Sequence, residues 1–149
     1  MAHTLYIDRR NNTIENVFTL QTDVIDEEPL PFIRMPGRSG QRGFEATSWI
    51  RGKSPIPYGQ WIMSTKPTPL QMEPRGTPFF PICSNKAEPR VIKELGGTKI
   101  RMDIGLHFEN RFPGSIGCQV AIRNKQSMAL FEYLEALHRV EPWIRVVVL

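Results

Sequence analysis

Thr13-Ile14-Glu15-Asn16-Val17-Phe18-Thr19-Leu20 alternates in character along its length, and that alternation decides the class of fold. Successive side chains of a strand point to opposite faces of its sheet. Ile14, Asn16, Phe18 and Leu20 then share one face, and Thr13, Glu15, Val17 and Thr19 share the other. The segment predicts a strand with one buried face, in which Asn16 and Val17 break the pattern. Just upstream, Thr4-Leu5-Tyr6-Ile7-Asp8 predicts a second strand. Arg9-Arg10-Asn11-Asn12 between them predicts a hairpin loop, because Asn tolerates the left-handed backbone of tight turns.

From Asp23 to Arg90 the chain carries most of its 13 prolines. Proline removes a backbone donor and disfavours helix in the residue before it, so long helices are excluded there. Strands joined by long ordered loops are expected. Tyr58–Ser64 predicts one strand, and Lys99–Leu106 another with Ile100, Met102, Ile104 and Leu106 on one face. A single helix is expected after Asn124, a suitable N-cap, with Ser127, Leu130, Phe131, Leu134, Leu137 and His138 at helical spacing. Val140-Glu141-Pro142 ends it, and the β-branched Trp143–Leu149 predicts a last strand. Residues 1–149 thus read as one mainly β (α+β) domain with one C-terminal helix.

The composition of these 149 residues, 40% hydrophobic and 23% charged, is that of a globular protein. No apolar run approaches the roughly 20 residues that span a bilayer. The start, Met1–Asp8, has neither a basic region nor an apolar stretch of the secretory kind. The net charge of +4 is scattered and has no Lys/Arg block. The aromatics Trp49, Trp61, Phe79 and Phe80 could stack on nucleic acid. Core packing or pocket lining explains them better, so no nucleic-acid partner is expected. Cys83 and Cys118 are read as free thiols. The three histidines are far apart and no Cys-x-x-Cys pair exists, so neither a metal nor a cofactor is expected.

Chemistry points to Leu106–Cys118. An alternating strand delivers His107 at its end, a loop of turn-forming residues follows, and Cys118 comes directly after Gly117. A cysteine attacks as thiolate, and a neighbouring imidazole can take its proton and lower the thiol pKa. Gly117 lets backbone approach a substrate closely. The amides of Gly117 and Cys118 could donate to a tetrahedral oxyanion. Against this stands the plain reading, an inert buried Cys and a hydrogen-bonded loop His.

Gly114-Ser115-Ile116-Gly117-Cys118 with His107 upstream resembles the active-site signature of the L,D-transpeptidase catalytic domain. Gly52–Trp61 resembles the Gly-Pro-Ile-Pro strand entry of that family's smaller members, which include secreted antibacterial effectors, and Ser39-Gly40 resembles their early Ser-Gly turn. The strand, Asn-led helix and Val-rich strand after Cys118 follow the family's order. The resemblance implies an L,D-transpeptidase-like β-sandwich. Three positions depart from the pattern: Ile116 stands where the family has His, Val120 where Arg is frequent, and Phe108 where Gly is usual.

The resemblance implies a Cys118 nucleophile, a His107 base and a Ser115 that orients the imidazole or adds a donor. The oxyanion donors would be Gly117 and Cys118, and the substrate-binding candidates Arg111, Arg123 and Tyr58. The reaction implied is cleavage or exchange of peptidoglycan stem peptides. Without a secretory signal, delivery to the periplasm or cell wall by a phage or a secretion system is expected. The implied partners are then stem peptides and an immunity protein or delivery assembly. The alternative is a non-catalytic cell-wall-binding or structural module.

Overall fold

The computed structural model describes residues 1–10, 14–24, 28–72, 75–110, 115 and 117–149. Eleven strands are present among them: β1 His3–Asp8, β2 Glu15–Thr22, β3 Met35–Ser39, β4 Gly59–Ser64, β5 Thr68–Pro69, β6 Pro78–Cys83, β7 Val91–Lys93, β8 Ile100–Met102, β9 Gly105–Phe108, β10 Gln119–Ala121 and β11 Trp143–Val148. One α-helix, α1, spans Lys125–Leu137. Between Asp23 and Arg90 the described residues form strands, loops and a single 3₁₀ turn at Ala46–Ser48, as the proline spacing requires.

The expected β-sandwich is corrected by the strand order. Eight strands run β4-β11-β1-β2-β3-β10-β9-β6, and β6 then pairs back onto β4 through Ile62↔Cys83 and Met63↔Ile82. The sheet is a closed barrel, with β5 added outside on β6. Closure removes the unpaired edges that an open sheet exposes. A strand with one apolar face suits a sandwich or a barrel equally, so alternation alone does not distinguish them. The deciding contact is the second partner of β6, which pairs with β9 at its start and with β4 at its end.

The inward face carries Leu5, Ile7, Phe18, Leu20, Met35, Met63, Phe80, Ile82, Leu106, Ile144 and Val146, all fully buried. Asn16 breaks the apolar pattern because it meets Gln119. The two buried amides exchange hydrogen bonds of 2.9 and 2.7 Å, which satisfies both inside the barrel. Asn124 caps α1 as expected: its side chain accepts from the Ser127 N–H, and Ser127 Oγ accepts from the Asn124 N–H at 2.9 Å. Leu130, Phe131, Leu134 and Leu137 face the core. The Phe131 ring stacks on Phe108 at 3.9 Å and meets Phe80 edge-on. Burying each such side chain stabilises by about 1.5–3 kcal/mol, so the apolar stripe rather than helix propensity holds α1 in place.

The strand expected over Lys99–Leu106 is two strands. Asp103 takes a left-handed conformation (φ 58) between β8 and β9, which short polar side chains tolerate best. The chain changes direction there. Ile100 and Met102 are left exposed, while Ile104 and Leu106 are buried. β8 pairs with β7 as a separate ribbon beside the barrel.

Candidate functional site

β9 and β10 are parallel neighbours, with Gln119 opposite Leu106 and Val120 opposite His107. Continuing that register by one residue sets Cys118 opposite Gly105. Leu106 and Gln119 point into the barrel, so His107, Val120 and Cys118 point outward. The thiol and the imidazole therefore share one face of the wall, diagonally across adjacent strands. Both line a cavity of about 1020 Å³ on the outside of the barrel. Its floor is β6 and β9, through Phe79, Pro81 and His107, and its sides come from Thr68–Met72 of the Pro-rich segment and from Arg90, Asp103 and Ile104.

His107 is 5% exposed. Its Nδ1 lies 2.6 Å from the Phe108 carbonyl oxygen. A carbonyl only accepts, so Nδ1 carries the proton and Nε2 the lone pair. Burial pushes the His107 pKa down, partly opposed by that carbonyl. The imidazole is thus neutral at pH 7, with its basic nitrogen available. Phe79 stacks on the ring at 6.1 Å and fixes its plane. Phe108 leaves the cavity altogether: strand alternation turns it inward onto Phe131.

Cys118 is 3% exposed, and its Sγ donates to the Asp103 carbonyl at 3.6 Å. Burial pushes the thiol up to about 11, with Asp103 adding to the rise and the Gly105 N–H and Arg101 opposing it. No thiol–imidazole hydrogen bond forms among the described residues. The expected thiolate–imidazolium pair is therefore corrected to two neutral groups at rest. Desolvation of the sulfur outweighs the nearby positive charge.

Other candidates separate. Ser115 Oγ donates to the Cys118 carbonyl at 2.8 Å and accepts from the Gly40 and Gly117 N–H groups at 2.9 and 3.1 Å. It holds the loop and does not touch the imidazole, which corrects its orienting role. The Gly117 N–H, already given to Ser115, is not a free oxyanion donor. Tyr58 donates to the Arg9 carbonyl at 3.3 Å and packs under the Arg9 guanidinium, away from the cavity. Arg123 lies over the Phe108 ring at 4.3 Å, also away from it. Arg111, Gly114 and Ile116 lie outside the described residues. Trp61 and Phe80 are core side chains and form no stacking groove.

Comparison with family models, curated proteins and solved structures finds no match. The site rests on its own geometry. Among the described residues no cluster of three or more His, Cys, Asp or Glu is placed to hold a metal ion, and no helix is long and apolar enough to cross a membrane.

Three further residues build the site: Ser39, so far placed only in a Ser-Gly turn, and Gly105 and Arg101, to which the sequence assigns no role. Ser39 is fully buried; its Oγ donates to the Gly117 carbonyl at 3.0 Å and accepts from the Ile56 N–H at 2.8 Å. It joins three segments far apart in the chain. Gly105 leaves room beside Cys118 for the Phe79 ring, since a Cβ there would collide with that ring and with the Phe80 carbonyl. Arg101 occupies the polar face of an alternating strand, where solvent exposure is the natural expectation, yet it is 2% exposed. Its Nη1 donates to the Ser54 and Pro55 carbonyls at 2.9 and 3.2 Å. The signal available was a charged residue one position before the Met102-Asp103 turn, which sequence alone does not mark as buried.

Proposed function

We propose that this chain is a cysteine-dependent enzyme of the L,D-transpeptidase type that cleaves or exchanges peptidoglycan stem peptides through a Cys118 acyl-enzyme. The observation that carries the proposal is the shared cavity wall. A thiol and an imidazole of the correct tautomer face one cavity from adjacent parallel strands. The meeting of Ser39-Gly40, Ser54–Ile56 and Ser115–Cys118 at this point adds support, because these segments carry the resemblance.

The chemistry starts from neutral partners. Rotation about the Cys118 side chain takes Sγ off the Asp103 carbonyl and toward the cavity. As sulfur attacks a peptide carbonyl carbon, His107 Nε2 accepts the thiol proton. The tetrahedral intermediate collapses, the C–N bond breaks, and the imidazolium protonates the departing amine. A thioester and a free amine result. Water then releases a carboxylate, or a second amine forms a new peptide bond, with His107 taking and returning the proton again. The Phe108 carbonyl holds Nδ1–H and stabilises the imidazolium, as a carboxylate does in other triads.

The test is digestion of purified sacculi by wild type, Cys118→Ala and His107→Ala. Wild type is expected to change the muropeptide profile, and both variants to leave it as in buffer. Identical profiles for all three would overturn the proposal.

A second reading, a non-catalytic wall-binding module, is favoured by one observation: Cys118 at rest is protonated, buried and hydrogen-bonded to Asp103. Under that reading wild type and Cys118→Ala would sediment equally with sacculi and neither would alter them.

A further inference from the structure

Arg101 reaches the site from β8, the ribbon strand outside the barrel, and almost none of it meets solvent. Burying a guanidinium is costly unless its donors are hydrogen-bonded and its charge interacts favourably with its surroundings. Part of the cost is met by the Ser54 and Pro55 carbonyls. The other end of the group packs on the Cys118 turn. Gly117 has a positive φ of 123, and a Cβ built on it would collide with Arg101 Nη2 and the Ile104 side chain and crowd the Ser54 carbonyl. The guanidinium therefore lies directly against the Gly117 backbone, one residue before the sulfur. Glycine is required here twice, for its conformation and for this close approach.

We propose that Arg101 is a positioning residue that clamps the Gly117–Cys118 turn against the Ser54–Pro55 loop and supplies the fixed positive charge that lets Cys118 become a thiolate. This rests on the cysteine-enzyme reading above. Arginine suits the task because it stays charged when buried, and its planar fork donates to several carbonyls at once. The field acts in both directions: Arg101 favours the ionised sulfur, and the ionised sulfur favours charged Arg101 against its burial. During attack the proton moves from Sγ to His107 Nε2. The sulfur's transient negative charge is then favoured by the imidazolium and the Arg101 guanidinium and opposed by the Asp103 carboxylate. Because the guanidinium is already in place, little reorganisation accompanies the step.

The experiment follows the pH dependence of Cys118 alkylation by iodoacetamide, read by peptide mass spectrometry without any substrate. It compares wild type with Arg101→Gln, which keeps a donor but loses the charge, and with Arg101→Lys, which keeps the charge. A purely structural role would open the turn, expose the sulfur and leave the midpoint unchanged or lower it, because burial is what raises the thiol. Loss of charge moves the midpoint upward. The expected midpoint for Arg101→Gln lies about one pH unit or more above wild type, while Arg101→Lys stays within about half a unit. Coincident midpoints for wild type and Arg101→Gln would overturn the proposal. Should Arg101→Gln fail to fold, Arg101→Lys decides: an unmoved midpoint supports it, and a rise like that expected for Gln overturns it. The readout needs no peptidoglycan, so it can fail while sacculus digestion succeeds, and the reverse.

Discussion

Ser39→Ala removes one oxygen and should loosen both the barrel and the site. Ser39 is fully buried at the end of β3. Its hydroxyl makes two short bonds, to the Gly117 carbonyl and from the Ile56 N–H. Alanine leaves a backbone donor and a backbone acceptor without that partner. Each buried polar group left unsatisfied costs about 1–3 kcal/mol. Partial relaxation offsets some of this, so a total loss of about 2–4 kcal/mol is expected. For a chain of this size each kcal/mol lowers Tm by about 2–4 °C, which puts the expected fall near 6–12 °C for a 3 kcal/mol loss. Urea unfolding followed by fluorescence of Trp49, Trp61 and Trp143 measures it, with Ser48→Ala as an exposed control expected to stay within about 0.5 kcal/mol. The Gly117 loop should also open, so Cys118 alkylation should accelerate in the folded variant. A Ser39→Ala protein as stable as the Ser48→Ala control would refute the view that Ser39 joins these segments.

Stability should fall as pH rises. The folded state holds the Cys118 proton up to about 11, whereas the unfolded thiol releases it near 9.0, so the folded state binds more protons in between. The contribution is fully present below pH 9 and is lost toward pH 11, about 2–3 kcal/mol in all; Cys118→Ser, with no group titrating there, should show a flatter profile in urea unfolding. Asn16→Leu should destabilise by about 1–3 kcal/mol because the Gln119 amide loses its partner, and Asn16→Leu/Gln119→Leu should recover part of that loss. Equal cost for the single and double variants in calorimetry would argue against the reciprocal pair. Asn124→Ala should lower stability by about 1 kcal/mol through loss of the α1 cap, measured as a Tm shift.

Local structure was readable where a residue's own neighbours decide it. The Asn124 cap, the 3–4 spacing of α1, the alternation of β2 and the β-branched run of β11 are such cases. Contacts between distant segments were not readable. The closure of β6 onto β4 depends on a register that no single strand carries. The break at Asp103 was hidden by the hydrophobic alternation of Ile100, Met102, Ile104 and Leu106, which a left-handed residue interrupts without changing the pattern. The pairing of His107 with the Cys118 face could be anticipated because each ends or precedes a strand. The neutral resting state could not, since it follows from burial of the sulfur. Burial of Arg101 was not legible for a similar reason: charge predicts exposure until a set of backbone carbonyls provides another environment.

The central claim is that Cys118 forms a thioester with a stem peptide and that His107 moves the proton. Intact-protein mass spectrometry after brief incubation with a tetrapeptide stem, quenched in acid, tests it most directly. Wild type is expected to gain the mass of the acyl fragment with Cys118 as the modified residue, while Cys118→Ala gains nothing and His107→Ala accumulates adduct at least a hundredfold more slowly, in the range of about 10²–10⁴ lost with a general base. Acylation of Cys83, or an adduct forming equally well without His107, would contradict the account.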